Sequence, residues 1–140
     1  MDRKLYRIID ANYNRSKEAL RVIEDIFRFF LDDKTLTKRI KSLRHELTTS
    51  FNDKKIVDKM LMFRDSLKDI GRPVDTLELK RKNINDVIYA NLQRAKESAR
   101  VLEEIFKIID KKSVSSFKTI RYNLYSLEKS IHKKLETTGA

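Results

Sequence analysis

Two stretches of this 140-residue chain carry the same polar residues at the same offsets, and they are residue types that grip phosphate. Sliding residues 8–30 forward by 79 positions sets Asn12 on Asn91, Arg15 on Arg94 and Glu18 on Glu97. Over that span 11 positions are identical, among them Ala11/Ala90, Lys17/Lys96, Arg21/Arg100, Val22/Val101, Glu24/Glu103, Ile26/Ile105 and Phe27/Phe106. A hydrophobic core needs only apolar matches, so repeated Asn, Arg and Glu require another reason. A second echo follows each stretch: LRHEL at 43–47 is answered by IRYNL at 120–124, which sets Arg44 on Arg121 at a slip of 77. Arginine presents a rigid fork that fits phosphate oxygens, and neighbouring carboxylates can hold Mg²⁺ or accept a proton. Clustered Arg with a few Asp or Glu is what phosphoryl transfer asks for, because that chemistry is mostly positioning and charge neutralisation.

The elements that carry these residues are helices. Residues 8–31 and 87–110 contain no Gly or Pro, and their apolar residues recur at three- and four-residue steps. On a helical projection, Ile8, Ala11, Tyr13, Ala19, Leu20, Val22, Ile23, Ile26, Phe27, Phe29 and Phe30 fill an arc of roughly 200°. Arg15 and Asn12 fall inside that arc and Glu18 at its edge. Two readings follow. A buried guanidinium and amide can lock the two long helices together through an internal Arg–Glu–Asn network, or Arg15 and Arg94 can point into a ligand pocket between them.

Along the chain, the first helix should be under way by about Leu5 and stop near Leu31, with Asp32 and Asp33 supplying a turn and an N-cap. The next helix carries the stripe Leu36, Ile40, Leu43, Leu47 and Phe51; His45 beside it reads as a surface or packed residue. Asn52 and Asp53 open a shorter helix in which Met60 and Met62 read as core filler. Residues 64–83 form the one irregular stretch, holding the chain's only Pro and one of its two Gly, with Arg64, Asp65, Asp69, Arg72 and Asp75. Three of its carboxylates (Asp65, Asp69 and Asp75) could hold Mg²⁺ with help from a substrate phosphate, or remain solvated loop charges. Asn83 or Asn85 caps the second long helix, and Ser113 the last one, whose stripe is Val114, Phe117, Ile120, Leu124, Leu127 and Ile131. The expected architecture is all-α: one domain, a bundle of about five helices built from a duplicated long-helix hairpin. The copies lie at about 8–51 and 87–135, with a helix and loop inserted at about 53–84.

Composition narrows the functions. Two Gly exclude the glycine-rich loops of P-loop and dinucleotide-binding proteins, and the lack of Cys excludes thiol chemistry and Cys-based zinc sites. His45 and His132 stand apart, which argues against a histidine metal cluster. No apolar stretch is long enough to span a bilayer, and the opening MDRKLYR lacks a signal peptide's apolar run, so a cytoplasmic protein with no membrane partner is expected. The net charge of +11 suits a polyanionic partner, whether nucleic acid, nucleotide or acidic lipid. The aromatics fall mainly on the apolar stripes; Tyr89, Tyr122 and Tyr125 could stack a base or a pyrimidine but are expected in the core, and no helix-turn-helix spacing supports nucleic acid.

DANYNRSKEALRVIEDIFRF at 10–29 resembles a small family of thiamine biosynthesis. The likeness continues through LRHEL, RDSLKDIG at 64–71, ANLQRAKESARVLEE at 90–104 and IRYNLYSLE at 120–128, covering nearly the whole chain in order. That family is the small helical hydroxymethylpyrimidine phosphate kinases, found alone or fused ahead of thiamine phosphate synthase. The resemblance implies transfer of phosphate from ATP, with Mg²⁺, to 4-amino-5-hydroxymethyl-2-methylpyrimidine phosphate. It also implies thiamine phosphate synthase as the consumer of the product and a partner. The synthase reaction itself is not expected here, because 140 residues cannot hold its (β/α)₈ barrel.

Within that chemistry, Arg15, Arg94, Arg44 and Arg121 are the candidates for gripping the substrate and nucleotide phosphates. Asp10, Glu18 and Glu97 are candidates for holding Mg²⁺ or orienting the acceptor, with Asp65 and Asp69 as loop alternatives. Asn12 and Asn91 would bond the pyrimidine or fix the arginines. The second copy departs from the first, with Tyr89 for Asp10, Gln93 for Asn14 and Ala99 for Leu20, so the first copy is expected to serve the acceptor, with Asp10, Arg15 and Glu18 catalytic. So small a bundle can hardly enclose two phosphorylated ligands alone, which points to a homodimer. The alternatives are a non-catalytic helical module that binds a phosphorylated ligand or docks on thiamine phosphate synthase, and a basic nucleic-acid binder.

Overall fold

The structure, a computed structural model, describes residues 2–73 and 80–138. Among them it is all-α: α1 (Asp2–Asp25), α2 (Lys34–Thr49), α3 (Lys54–Met62), α4 (Ile84–Ile109) and α5 (Val114–Thr138). A π turn at Ile26–Phe30 closes α1, and a 3₁₀ turn at Lys111–Ser113 precedes α5. Caps sit where short acceptors precede helical runs. Asp33 accepts from the Leu36 amide at 2.9 Å, Asp53 from Lys55 at 2.9 Å and Asn83 from Asp86 at 3.0 Å. Ser113 is not the acceptor expected before α5: its hydroxyl donates to Asp110, whose carboxylate caps the 3₁₀ turn.

The slip between the repeats has a local cause. The first copy leaves its long helix through the wider π turn and Asp32, whose φ of 50° is left-handed. The second leaves through an extended Asp110 and a 3₁₀ turn. The π turn also changes the phase of the apolar pattern, which is why Phe29 and Phe30 are exposed rather than in the core.

α1 packs most extensively on α4, and each of the two packs on its hairpin partner, α2 or α5. Ties from Glu103 to Arg121 and from Lys96 to Glu128 run α4 and α5 antiparallel. Ties from Arg39 to Ser130 and from Glu46 to Asn123 do the same for α2 and α5. Around the ring α1–α2–α5–α4 neighbours are therefore antiparallel. The core holds the expected stripes of α2 and α5, the inner faces of α1 and α4, and an aromatic cluster of Phe51, Phe106 and Phe117. At the α1–α4 crossing the buried hydroxyls of Ser16 and Ser98 lie 2.6 Å apart.

The buried face of α1 is rotated toward α2 relative to the arc drawn from sequence. Tyr6, Ile9, Asn12, Ser16, Leu20, Ile23 and Phe27 are buried, whereas Ile8 and Val22 are exposed. Three other expectations fail for the same reason, that an apolar or aromatic residue at helical spacing does not settle which side its neighbours cover. Met62 is 71% exposed while Met60 is buried, and Tyr122 and Tyr125 stand on the surface of α5, 5.7 Å apart. No described helix is long and apolar enough to cross a membrane.

Candidate functional site: a charged cleft on the first copy

The two repeats share a frame, and that frame absorbs two of the predicted phosphate ligands. Arg44 donates to buried Glu24 at 3.0 and 3.5 Å, and Arg121 donates to buried Glu103 at 2.7 and 3.3 Å. Arg21 and Arg100 flank the same two glutamates at 3.4 and 3.6 Å. The Arg121 fork holds the Glu103 carboxyl below its ordinary pKa, and Glu103 in turn raises the guanidinium further. Arg44 and Arg121 are thus the internal lock, with Glu24 and Glu103 rather than Glu18 and Glu97 as partners. Glu24 and Glu103 were legible only as two more identities, because the projection put Arg15 inside the helix and said nothing of what lay across from Glu24.

Asn12 and Asn91 also belong to the frame. Each donates its amide to the carbonyl one turn back, Ile8 at 2.9 Å and Val87 at 2.8 Å, and neither holds an arginine. Arg15 and Arg94, expected to be buried, are exposed, and so are Glu18 and Glu97. The rotation of α1 toward α2 leaves all four on the outer side. None of them makes an ion pair or hydrogen bond among the described residues.

Beyond the frame the copies diverge. After Arg121, α5 runs on to Thr138 and covers the N-terminal half of α4, where Glu128 receives Lys96 at 2.9 Å and Gln93 at 3.2 Å. His132 meets the Tyr89 hydroxyl at 2.9 Å. In the first copy α2 stops at Thr49, Phe51 turns into the core, and α3 goes off against the start of α1, with Phe63 at 6.4 Å from the Tyr6 ring. The outer surface of α1 around Asp10 is therefore left for the irregular segment that follows α3.

A cleft of about 820 Å³ opens there between α1 and residues 64–69. Its cations are Lys4, Arg7, Arg15 and Arg64, and its carboxylates are Asp10, Glu18, Asp65 and Asp69. Asn14 and Ser66 add neutral polar groups, and Ile8 and Ala11 an apolar strip. One turn of helix separates Arg7, Ala11, Asn14–Arg15 and Glu18, so a single face of α1 presents them all. Among the predicted residues, Asp10, Arg15, Glu18, Asp65 and Asp69 come together here. Asn12, Arg44, Asn91, Arg94, Glu97 and Arg121 do not, and Asp75 lies outside the described residues.

Asp10 is the fixed point. Its carboxylate, almost wholly buried, accepts both arms of the Arg64 fork at 2.7 and 2.5 Å, and the Asn14 amide at 3.1 Å. The pairing raises the Arg64 guanidinium above its already high pKa, so that charge is permanent. Arg64 was visible in the sequence only as a loop residue, and Lys4, Arg7 and Asn14 were missed. The available signal was the pair of departures: Asp10 and Asn14 stand four residues apart and are two of the polar positions that the second copy changes.

The carboxylates fit a metal in a limited way. Among the described residues no group of three His, Cys, Asp or Glu side chains is placed to hold an ion. Asp10 is committed to Arg64 and Asn14, while Asp65 and Asp69 each give one oxygen to a loop amide, Lys68 at 3.2 Å and Gly71 at 2.9 Å. That leaves Glu18 and the second oxygens of Asp65 and Asp69. Such a set suits Mg²⁺ only when substrate phosphates supply other ligands.

Comparison with known proteins agrees with the thiamine resemblance. The family model of the ThiD2 family matches residues 7–130. The chain is 34% identical over 139 residues to a protein named thiamine-phosphate synthase from Rhodopirellula baltica, covering 99% of this chain and 37% of that one. A protein of the same name from Synechocystis sp. is 35% identical over 126 residues, covering 89% and 35%. Another from Synechococcus sp. is 37% identical over 136 residues, covering 97% and 36%. The chain thus spans about a third of the length of the curated relatives it matches. No solved structure matches it.

Proposed function

The chain belongs to the ThiD2 family, and from that premise we propose that it is a kinase of thiamine biosynthesis whose active site is the charged cleft of the first copy. The reaction carries the γ-phosphoryl group of ATP to 4-amino-5-hydroxymethyl-2-methylpyrimidine phosphate. An oxygen of the acceptor's phosphate bonds to the γ-phosphorus, the bond from that phosphorus to the oxygen bridging to the β-phosphate breaks, and ADP leaves with the electron pair. A phosphate monoester has its second pKa near 6, so the acceptor is already mostly a dianion at neutral pH and no strong base is required. The obstacle is repulsion between two polyanions, and the observation that carries the reading is a cleft with four cationic side chains for them to meet.

Arg15, exposed on the cleft and unpaired, is the free fork for the transferring phosphate, with Lys4 and Arg7 on the same helix face. Arg64 keeps its orientation through Asp10, so Asp10 acts as a positioning residue rather than a base. Glu18 and one of Asp65 or Asp69 would hold Mg²⁺ together with nucleotide phosphates, and the ion would supply neutralisation of the phosphate charge. Thiamine phosphate synthase is the proposed consumer of the diphosphate, in keeping with the names of the long relatives.

The sparse carboxylate arrangement favours one second reading, a module that binds a phosphorylated ligand without turning it over. Incubating the protein with Mg-ATP and the pyrimidine monophosphate, beside the unphosphorylated pyrimidine, separates the two. ADP release with the monophosphate alone, and formation of its diphosphate, is the expected result. Binding of both ligands with no ADP formed rejects the kinase and leaves the module.

A further inference from the structure

Four of the 11 repeat identities lie on the side of the long helices turned away from α2 and α5. Ala11, Arg15, Glu18 and Val22 recur as Ala90, Arg94, Glu97 and Val101, whereas the next identity at this spacing, Ile26, is buried in the core and its counterpart Ile105 packs against it. The steps between them are three or four residues, the spacing of a packed helix seam. Apolar residues extend the seam at both ends, Ile8 and Phe29 on α1, Val87 and Ile108 on α4. Phe29 is 67% and Ile108 64% exposed, while Val22 and Ile8 are each 38% exposed.

The two seams face the same way. Glu24 of α1 points to α2 and Glu103 of α4 points to α5, and α2 packs on α5, so the opposite sides of α1 and α4 form one surface. That surface carries two arginines and two glutamates at matching places on antiparallel helices, all four without partners among the described residues. Turned by half a rotation it nearly superposes on itself, which is what a closed two-fold interface requires. Laid against a copy, it offers Arg94 and Glu97 of α4 as partners of opposite charge, leaves Arg15 and Glu18 to the cleft at its edge, and brings Val, Ile and Phe together on its flanks. We propose that this α1–α4 face is the interface of a homodimer, in which a second copy of the chain covers both seams. Because Arg15 and Glu18 belong both to the seam and to the cleft, the second copy also borders the cleft.

The mass of the full chain in solution tests this, by sedimentation equilibrium over a range of concentrations. The expected particle has twice the 16.7 kDa of one chain. Val101→Asp should weaken the dimer on the order of 30-fold or more, with helical circular dichroism retained. Phe29→Asp, at a position exposed in the single chain, should do the same and serves if Val101→Asp fails to fold. A single-chain mass at every concentration overturns the proposal, as does a dimer that both folded variants leave intact. A protein that sediments alone but binds a separate thiamine phosphate synthase through this face overturns it equally, since the occupant is then another chain.

Discussion

The two copies of the hairpin repeat one interior lock and differ in what covers the outer side of the long helix. Inside, Glu24–Arg44 and Glu103–Arg121 repeat contact for contact, as do the flanking Arg21 and Arg100 and the self-bonded Asn12 and Asn91. Outside, Asp10 holds Arg64 over an open cleft, whereas Tyr89 at the matching place is closed off by His132 of a longer α5. The frame needs both copies to stay alike, because each hairpin presents the same face to the other. The cleft needs them to differ, because it exists only where the second helix stops early.

The sharpest way to break this comparison is to remove a cleft arginine and a frame arginine in parallel. Arg15→Ala should lower kcat/KM for the pyrimidine monophosphate by about 10²–10³ while changing unfolding free energy by less than about 0.5 kcal/mol, as for an exposed and unpaired residue. A fall in stability with turnover intact would place Arg15 in the frame instead. The counterpart is Arg44→Ala, which leaves Glu24 buried with only Arg21 near it. It should cost about 3 kcal/mol in urea unfolding, and Arg121→Ala a similar amount. Markedly unequal losses would mean that the two locks are not equivalent.

The difference at Asp10 and Tyr89 gives a smaller effect. Asp10→Asn keeps the shape but removes the charge that fixes Arg64, and should cost about 1–2 kcal/mol of stability together with a loss of turnover. Tyr89→Phe deletes one hydrogen bond to the exposed ring of His132. It should cost less than about 1 kcal/mol and leave turnover unchanged. Equal effects on turnover would show that both copies take part in the site.

How much of this was legible beforehand divides along the same line. Helix number, caps at Asp33, Asp53 and Asn83, and the stripes of α2 and α5 follow from spacing and capping chemistry, which are local. The duplication was legible too, since sequence identity does not depend on knowing the packing. What failed depended on which side of a helix its neighbours take. Arg15 was expected inside and is outside, and Arg44 was expected to meet a ligand but meets Glu24. A wide apolar arc is compatible with burial from either edge, and only the contact of α2 with α5 decides between them. Lys4, Arg7 and Arg64 were out of reach because a cleft assembled by a loop 54 residues distant leaves no periodic trace.

The smallest expected effect concerns the acid response of the frame. Glu103 has its pKa lowered in the folded chain, chiefly by the Arg121 hydrogen bonds, so the unfolded chain binds the proton first as pH falls. The stability this adds is therefore complete above the unfolded carboxylate's pKa of about 4.3 and is lost as pH drops below it. One carboxylate can contribute a slope of at most about 1.4 kcal/mol per pH unit in that window. Glu104 beside it is also lowered, by Lys107, but it sits on the surface. Urea unfolding between neutral and acid pH should show a shallower slope in Glu103→Gln than in the parent protein. Glu104→Gln should differ from the parent only at low salt, because the exposed pair is screened and the buried one is not. If 1 M salt erased the Glu103 contribution as well, Arg121 and Glu103 would be behaving as a surface pair. The interior lock that makes the two hairpins alike would then have to be sought in their apolar contacts.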